Sequence, residues 1–515
     1  MSSRTVKHAL GVAAALAVLS SAPSFAQKSM DNLRAVTLEP ISMLDDTFTS
    51  SPLLRQVNEA VYEQMANFDW QAGKWLPAMA KSWRMVDERT IEYELRDDIV
   101  FHNGAKYTAD DFVAKFNLLI DPAVKFRFKE SRYGFMESVE KVGPYTVRVR
   151  AIGPTATLLA RTANIDQVPG KMFVEQKENF GRNPISAGPY RLVSIDSAKG
   201  VVLERYDGFK TDGPARAKGK IKRIEVASMP DTQTQLARMI VRDQDFMFNV
   251  NIDQAQEMVK NPDFKMFVTD VPSFSYLQFD AANRSGVGVL RDQKVRQAMS
   301  MAINRQKIKE YLLPKAAQNI PLPDGNCQKV LVACKYSAKL PDYDPVKAKA
   351  LLKEAGYESG FEVALTGWGA VKDTMTAVAG DLRAIGIRAK ENYVTYVAYT
   401  KMRAEGQFQG LIAYYDNAGS QPDAENTVTF FFLPSERDYF QDNELHKLAQ
   451  DGLSIVDEDK RSAHYTKIFD MSVTKNYLMP LLPVPSLVVY HKDLVLEEGH
   501  KSPEGFWYNY MAWTK

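Results

Sequence analysis

Residues 90–120 read TIEYELRDDIVFHNGAKYTADDFVAKFNLLI, and this stretch decides the fold class. Its first six residues alternate, with Thr90, Glu92 and Glu94 on one side and Ile91, Tyr93 and Leu95 on the other. A period of two marks a half-buried strand. Past Gly104, suited to a tight turn, the period changes. Thr108 followed by Asp111 is a capping-box-like start in which an acidic residue stands for the usual Glu or Gln. Phe112, Phe116 and Leu119 then share one helical face until Asp121-Pro122. A strand followed directly by a capped helix predicts a mixed α/β chain.

The same two periods recur outward. Val147–Val149 and Ile221–Val226 predict strands. Asp344-Pro345 is an N-cap with proline in the first helical turn. Ala348, Leu351, Leu352 and Ala355 form the apolar stripe behind it, and Gly356 supplies the stop. A helix is predicted over Gln293–Ala302, with Val295, Ala298, Met299 and Ala302 inward, and another over Ala377–Ile385, closed by Gly386. Strands and helices intermix over the whole length, the pattern of an α/β fold. Low-complexity tracts, internal repeats and Gly/Ser linkers are absent from the sequence, so packed lobes are expected, and 515 residues suffice for two or three domains.

The N-terminus carries an export pattern. Arg4, Lys7 and His8 precede an uncharged apolar run, Ala9 to Leu19, and Ser24-Phe25-Ala26 places small residues at −3 and −1 of a cleavage site. The run is shorter than the about 20 residues a membrane-spanning helix needs. Residues 1–26 are therefore expected to be a signal peptide, with Gln27 as the mature N-terminus. The residue after the cut is not cysteine, so no lipid anchor is expected there, and the mature protein is expected to be soluble in the periplasm. The late apolar stretch Leu478 to Tyr490, broken by Pro480, Pro483 and Pro485, reads as a buried strand or loop. The formal charge is +2, and loss of Arg4 and Lys7 with the signal leaves the mature chain near zero. That argues against a nucleic-acid partner, which calls for a basic excess. The two cysteines, Cys327 and Cys334, lie close in sequence. In an oxidising compartment they read as a local disulfide. The rival reading is a metal site, but two cysteines without a nearby histidine are too few ligands for structural zinc.

A family resemblance enters at Leu76-Pro77-Ala78-Met79-Ala80-Lys81-Ser82-Trp83. It continues through Asp87, Thr90, Leu95-Arg96, Val100-Phe101-His102-Asn103-Gly104 and Thr108-Ala109-Asp110-Asp111. This run resembles the family 5 extracellular solute-binding proteins, the dipeptide, oligopeptide and nickel binders of ABC importers. Asn103 departs from the family's frequent aspartate. Val61-Tyr62-Glu63, Pro184-Ile185-Ser186-Ala187-Gly188-Pro189-Tyr190, Val295-Arg296-Gln297-Ala298, Ala302-Ile303-Asn304-Arg305 and Tyr343-Asp344-Pro345 through Gly360-Phe361 agree in order. Trp83, Arg96, Phe101 and His102 are read as packing and turn residues. The resemblance implies a periplasmic binding protein fold of two lobes around a cleft, in three domains. Domain I takes 27–72, 190–285 and 490–515, domain II takes 73–189, and domain III takes 286–489. The chain would cross between lobes near 286 and return near 490, and the lobes would close on ligand by a hinge.

The resemblance also places the ligand site. In peptide-binding relatives an aspartate pairs with the ligand's amino group, and Asp416 falls in its place within Ala413-Tyr414-Tyr415-Asp416-Asn417-Ala418-Gly419. The family's tryptophan is replaced by Ala413. Asp416 either meets an ammonium group or caps a loop. The stretch 365–371 lacks the arginine that holds a dipeptide carboxylate, and Lys372 is the cation nearest to it. Trp368, between two glycines, offers a flat stacking face. Tyr396 matches an aromatic cleft residue. Tyr414 and Tyr415 point oppositely if extended, so one of them faces the cleft. Asp280, at the end of Tyr276-Leu277-Gln278-Phe279-Asp280, is expected beside the lobe crossing.

The implied role is the substrate-binding component of an ABC importer. It would take a peptide, a peptide-like or another small organic solute, cationic or aromatic, to the permease subunits in the inner membrane. A monomer without cofactor or resident metal is expected. Nickel is disfavoured because no histidine lies near 414–419. The alternatives are a ligand sensor for a membrane receptor and a periplasmic enzyme. The latter lacks support, since the chain has no His-Glu-X-X-His motif and no Gly-X-Ser-X-Gly elbow.

Overall fold

The computed structural model describes residues 31–514 apart from 38–39, 49–53, 71, 127–128, 214–215, 249, 270–272, 417–421 and 497–507. The signal segment 1–26 and Asn417 thus lie outside the described residues, as does the side chain of Asp416.

The strand Thr90–Leu95 and the helix Ala109–Ile120 form as the opening stretch predicts. The Asp111 carboxylate accepts from the Thr108 backbone N–H at 3.0 Å and from its hydroxyl at 3.1 Å. Phe112, Phe116 and Leu119 are fully buried. Helices Gln293–Ala302 and Pro345–Glu354 also match, each started by an aspartate, Asp292 or Asp344, whose carboxylate accepts from a first-turn N–H. Helix Lys372–Ala384 begins five residues before the expected Ala377, and strand Arg223–Ser228 sits two residues past the expected start. Val371 precedes that helix without a side-chain cap, so the sequence offers no start signal there.

Three large sheets organise the chain. A four-stranded antiparallel sheet contains Ala80–Asp87, Thr90–Leu95, Thr146–Ala151 and Met136–Gly143. A seven-stranded sheet is built on Asn32–Thr37, flanked by Arg223–Ser228 and Phe246–Phe248. It ends in Phe264–Thr269, paired with Ser486–His491. A five-stranded sheet runs in the order Arg388–Val394, Glu362–Trp368, Gly410–Asp416, Ser273–Phe279, Leu478–Pro483.

The crossings between the last two sheets correct the expected positions. Ser273–Phe279 lies in the five-stranded sheet, ahead of the expected crossing at 286, and Ser486–His491 is back in the seven-stranded sheet before 490. Ser273–Phe279 is paired on both edges, and every residue of it is buried, so both of its faces are covered. The stretch Leu478 to Tyr490 is two strands in two sheets, separated at Val484-Pro485. Asp280 is corrected too. It ends a strand that runs away from the crossing. Its carboxylate accepts from Arg284 N–H at 2.8 Å and from Ser285 N–H and Oγ at 2.8 and 2.6 Å, which closes a turn.

Glu63 ties together chain segments at 63–67, 167 and 211–216. Its side chain and that of Arg216 are buried, with Nη1 and Oε1 3.4 Å apart. The carboxylate also accepts from Asn67 Nδ2 at 3.3 Å, Gln64 N–H at 3.0 Å and the Thr211 hydroxyl. Its backbone carbonyl accepts from Gln167 N–H at 2.8 Å.

His102 has the packing role expected of it. Its Nε2 lies 3.0 Å from the Gly188 carbonyl oxygen, its Nδ1 accepts from Ser186 N–H at 3.4 Å, and its ring meets Tyr206 edge-on. Burial pushes its pKa down to about 4. A histidine with a depressed folded-state pKa contributes stability that is present above about 6.5 and is lost as pH falls toward 4. Thermal unfolding of wild type and His102→Gln at several pH values should show the difference between them narrowing from pH 6.5 to 4. A constant gap would show that the imidazole titrates alike folded and unfolded.

Candidate ligand site at the sheet crossing

Strand Glu362–Trp368 is parallel to both of its neighbours, so Trp368, Val394 and Asp416 mark three carboxyl ends on one edge. The chain leaves this strand toward Arg388–Val394 on one side and later reaches Gly410–Asp416 on the other. Such a switch point is where open α/β sheets open a crevice for ligands. Ser273 pairs with Asp416 and Phe274 with Pro483, so the strand ends nearest in sequence to the seven-stranded sheet also lie at this edge.

An aromatic cluster occupies the edge. The Trp368 ring lies 5.4 Å from Tyr396, 4.5 Å from Tyr399 and 5.3 Å from Tyr414, centroid to centroid. Tyr396 and Tyr399 stack at 5.8 Å. Tyr396 is 59% and Tyr414 39% exposed, while Tyr399 is buried beneath them. Gly367 allows the close strand approach that sets Trp368, because a Cβ there would lie 2.9 Å from the Ile412 carbonyl oxygen. Thr395 caps the next helix, accepting from Ala398 N–H at 3.2 Å, and so fixes Tyr396 in its first turn.

Three of the expected residues, Trp368, Tyr396 and Tyr414, are therefore brought together. Tyr415 is not. It is 5% exposed and faces the opposite side, against Phe274, Phe430 and Phe431 at 5.8, 4.7 and 5.0 Å. Strand alternation forces that choice once Phe274 sits opposite it. The Asp416 backbone ends the strand at the cluster. Lys372 turns to the Tyr393 ring at 5.8 Å.

Several contributors escaped the sequence reading. Tyr399 and Arg403 follow Tyr396 at helical spacing, a signal that was available. Arg403 is buried, donates to the Tyr399 hydroxyl at 3.1 Å and lies over Phe430 at 5.3 Å, supporting the cluster from behind. Elements outside the five-stranded sheet also reach this body, a two-stranded hairpin and a helix among them. Trp70, at the turn between Ala66–Asp69 and Lys74–Pro77, packs against its aromatic core. Glu425 accepts from the Thr157 hydroxyl at 2.9 Å and pairs with Arg161 at 3.4 Å. Asp423 beside it pairs with Arg461 at 2.6 Å, and burial pushes its pKa up to about 6 against the pull of that guanidinium. The disulfide forms between Cys327 and Cys334.

Two α/β bodies joined by paired crossings, with aromatic faces gathered at the joint, define a two-lobed solute-binding fold. Residues 74–438 match the family described as "Bacterial extracellular solute-binding proteins, family 5 Middle", and the chain belongs to that family. It is 23% identical to heme-binding protein A of Haemophilus influenzae over 496 residues, 87% of this chain and 86% of that protein. It is 27% identical to the glutathione-binding protein GsiB of Escherichia coli O157:H7 over 361 residues, 69% of this chain and 66% of that one. Among solved structures it is similar to NikA from Brucella suis in complex with Fe(III)-EDTA. The TM-score is 0.80 at 20% identity, covering 94% of this chain and 100% of that one.

Proposed function

We propose that this protein is the periplasmic substrate-binding component of an ABC importer, taking a small organic solute with a planar or aromatic part between its lobes. Domain II of the first lobe is the four-stranded body, domain I the seven-stranded one, and domain III, from 273 to 483, the second lobe. The observation that carries this reading is the Trp368, Tyr396 and Tyr414 cluster at the carboxyl ends of the parallel strands, beside both crossings. Aromatic faces stack on planar ligands and attract cations. The absence of arginine from 365–371 separates this site from one built for a free dipeptide carboxylate. The relatives named for heme and glutathione widen the candidates beyond dipeptides.

Thermal unfolding against peptides, glutathione, heme, aromatic acids, polyamines, sugars and a nickel chelate tests the reading. A ligand at about 100 times its Kd stabilises by about 2.7 kcal/mol, several degrees in a domain of this size class. No shift across the panel would count against a small-solute site. Asp416→Asn is expected to weaken an amine-bearing ligand by about tenfold, through loss of a charge-assisted contact. Unchanged affinity by calorimetry would remove Asp416 from the site.

A further inference from the structure

Glu425 joins chain segments that are far apart in sequence. Its side chain is buried, and its Oε1 meets Thr157 and Arg161 of the helix Leu158–Ala163 and its cap, which belong to the four-stranded body. Arg161 is held ready by its own body, with its guanidinium over the Phe135 ring at 4.9 Å. Glu425 itself opens the helix Glu425–Phe432 and packs with the five-stranded body. An ion pair with a buried carboxylate and a partly exposed guanidinium gives little net stability, because desolvation of the carboxylate offsets the attraction. Removing Arg161 is costly all the same, because the Glu425 carboxylate stays buried while the bodies are together. Such a pair therefore favours one relative placement of two bodies over others.

The segment bearing Glu425 is mounted on the disulfide loop. Val332 pairs with Asp423 in a parallel bridge. Val332 N–H donates to the Pro422 carbonyl at 2.8 Å, and Ala424 N–H donates to the Val332 carbonyl at 2.9 Å. Val332 lies inside the loop closed by Cys327 and Cys334, where Leu331 N–H bonds to Gln328 and Cys334 N–H to Leu331. On the other side Asp423 accepts from Glu425 N–H at 2.8 Å and is held by Arg461. The staple thus fixes the short edge against which 422–424 is laid, and 422–424 aims Glu425 at the other lobe.

We propose that Glu425 is a positioning residue that latches the closed lobes through Arg161 and Thr157, and that the Cys327–Cys334 loop is the mount that holds the latch. The proposal rests on the two-lobed clamp reading above. Its test uses no ligand, so a failed ligand panel leaves it standing and its own failure leaves the ligand site standing.

The test compares wild type with Glu425→Gln, Arg161→Met, the double variant Cys327→Ala/Cys334→Ala, and the triple variant adding Glu425→Gln. Small-angle scattering reads the radius of gyration, and hydrogen exchange reads Leu158–Ala163 and Glu425–Phe432. All four variants should enlarge the radius and speed exchange over Leu158–Ala163 about tenfold. The triple variant should be no more open than Glu425→Gln alone, since mount and latch act on one contact. Val332→Pro keeps the disulfide and removes the donor to Pro422. It should open the protein likewise and stands in if the cysteine variant does not fold. A cysteine variant, or in its place Val332→Pro, with wild-type radius and exchange would overturn the mount. Arg161→Met and Glu425→Gln without effect would overturn the latch.

Discussion

Replacing Glu63 with alanine is expected to destabilise the protein by about 3–5 kcal/mol, the largest loss expected of any single substitution considered. The carboxylate is fully buried against Arg216, and Asn67, Thr211 and Gln64 bond to it as well. Truncation strips the buried guanidinium of that carboxylate and unties hydrogen-bond donors from three further residues. Desolvation that the pair once shared then falls on one side. The melting midpoint should drop by about 10 °C, measured by calorimetry together with urea titration. Glu63→Gln keeps one acceptor oxygen, enough for Asn67 and Gln64 at the Oε1 position, and should fall between. A loss under about 1 kcal/mol for Glu63→Ala would mean that the pair behaves like a surface salt bridge.

The second large effect concerns the site. Trp368→Ala is expected to weaken the ligand that stabilises most in the panel by at least about 30-fold, the loss typical of a central aromatic anchor. Trp368 carries three ring contacts at once, so its removal also releases Tyr396 and Tyr414. Because Trp368 packs against both cores of its body, the alanine variant should also melt earlier. Trp368→Phe restores most of that packing and keeps a ring face, so it should recover folding fully and affinity in part. Tyr396→Ala removes a mostly exposed ring and should weaken binding several-fold with little change in stability. Calorimetric titration of the three variants separates the effects. Wild-type affinity in Trp368→Ala would move the site elsewhere.

Much of the fold was legible because its signals are local. The helices Ala109–Ile120, Gln293–Ala302 and Pro345–Glu354 carry caps in the sequence, and their bounds follow. Lys372–Ala384 lacks a side-chain cap, so its start is not legible in the sequence. The crossing was misplaced for another reason. Ser273–Phe279 is buried on both faces, so it shows no period that would reveal which sheet it joins. Its partners lie more than a hundred residues ahead, at Gly410–Asp416 and Leu478–Pro483.

The site divided in the same way. Trp368, Tyr396 and Tyr414 were reached through family resemblance, and the structure brings them together. Alternation said that Tyr414 and Tyr415 diverge, but which one turned inward depended on Phe274 across the sheet. The Arg161–Glu425 contact spans 264 residues and two bodies, and no local pattern announces it. Buried charge is decided by tertiary packing, so Arg403 and Arg216 read as ordinary surface cations until the fold is known.

Hydrogen exchange of the full chain, with and without the panel's strongest stabiliser, tests the central claim most directly. A solute held between the lobes should slow exchange together at Leu365–Trp368, Tyr396–Tyr399 and Ala413–Asp416 on one body and at Leu158–Ala163 on the other. Protection confined to one body, or lying away from the carboxyl ends of the parallel strands, would contradict a ligand site at the crossing.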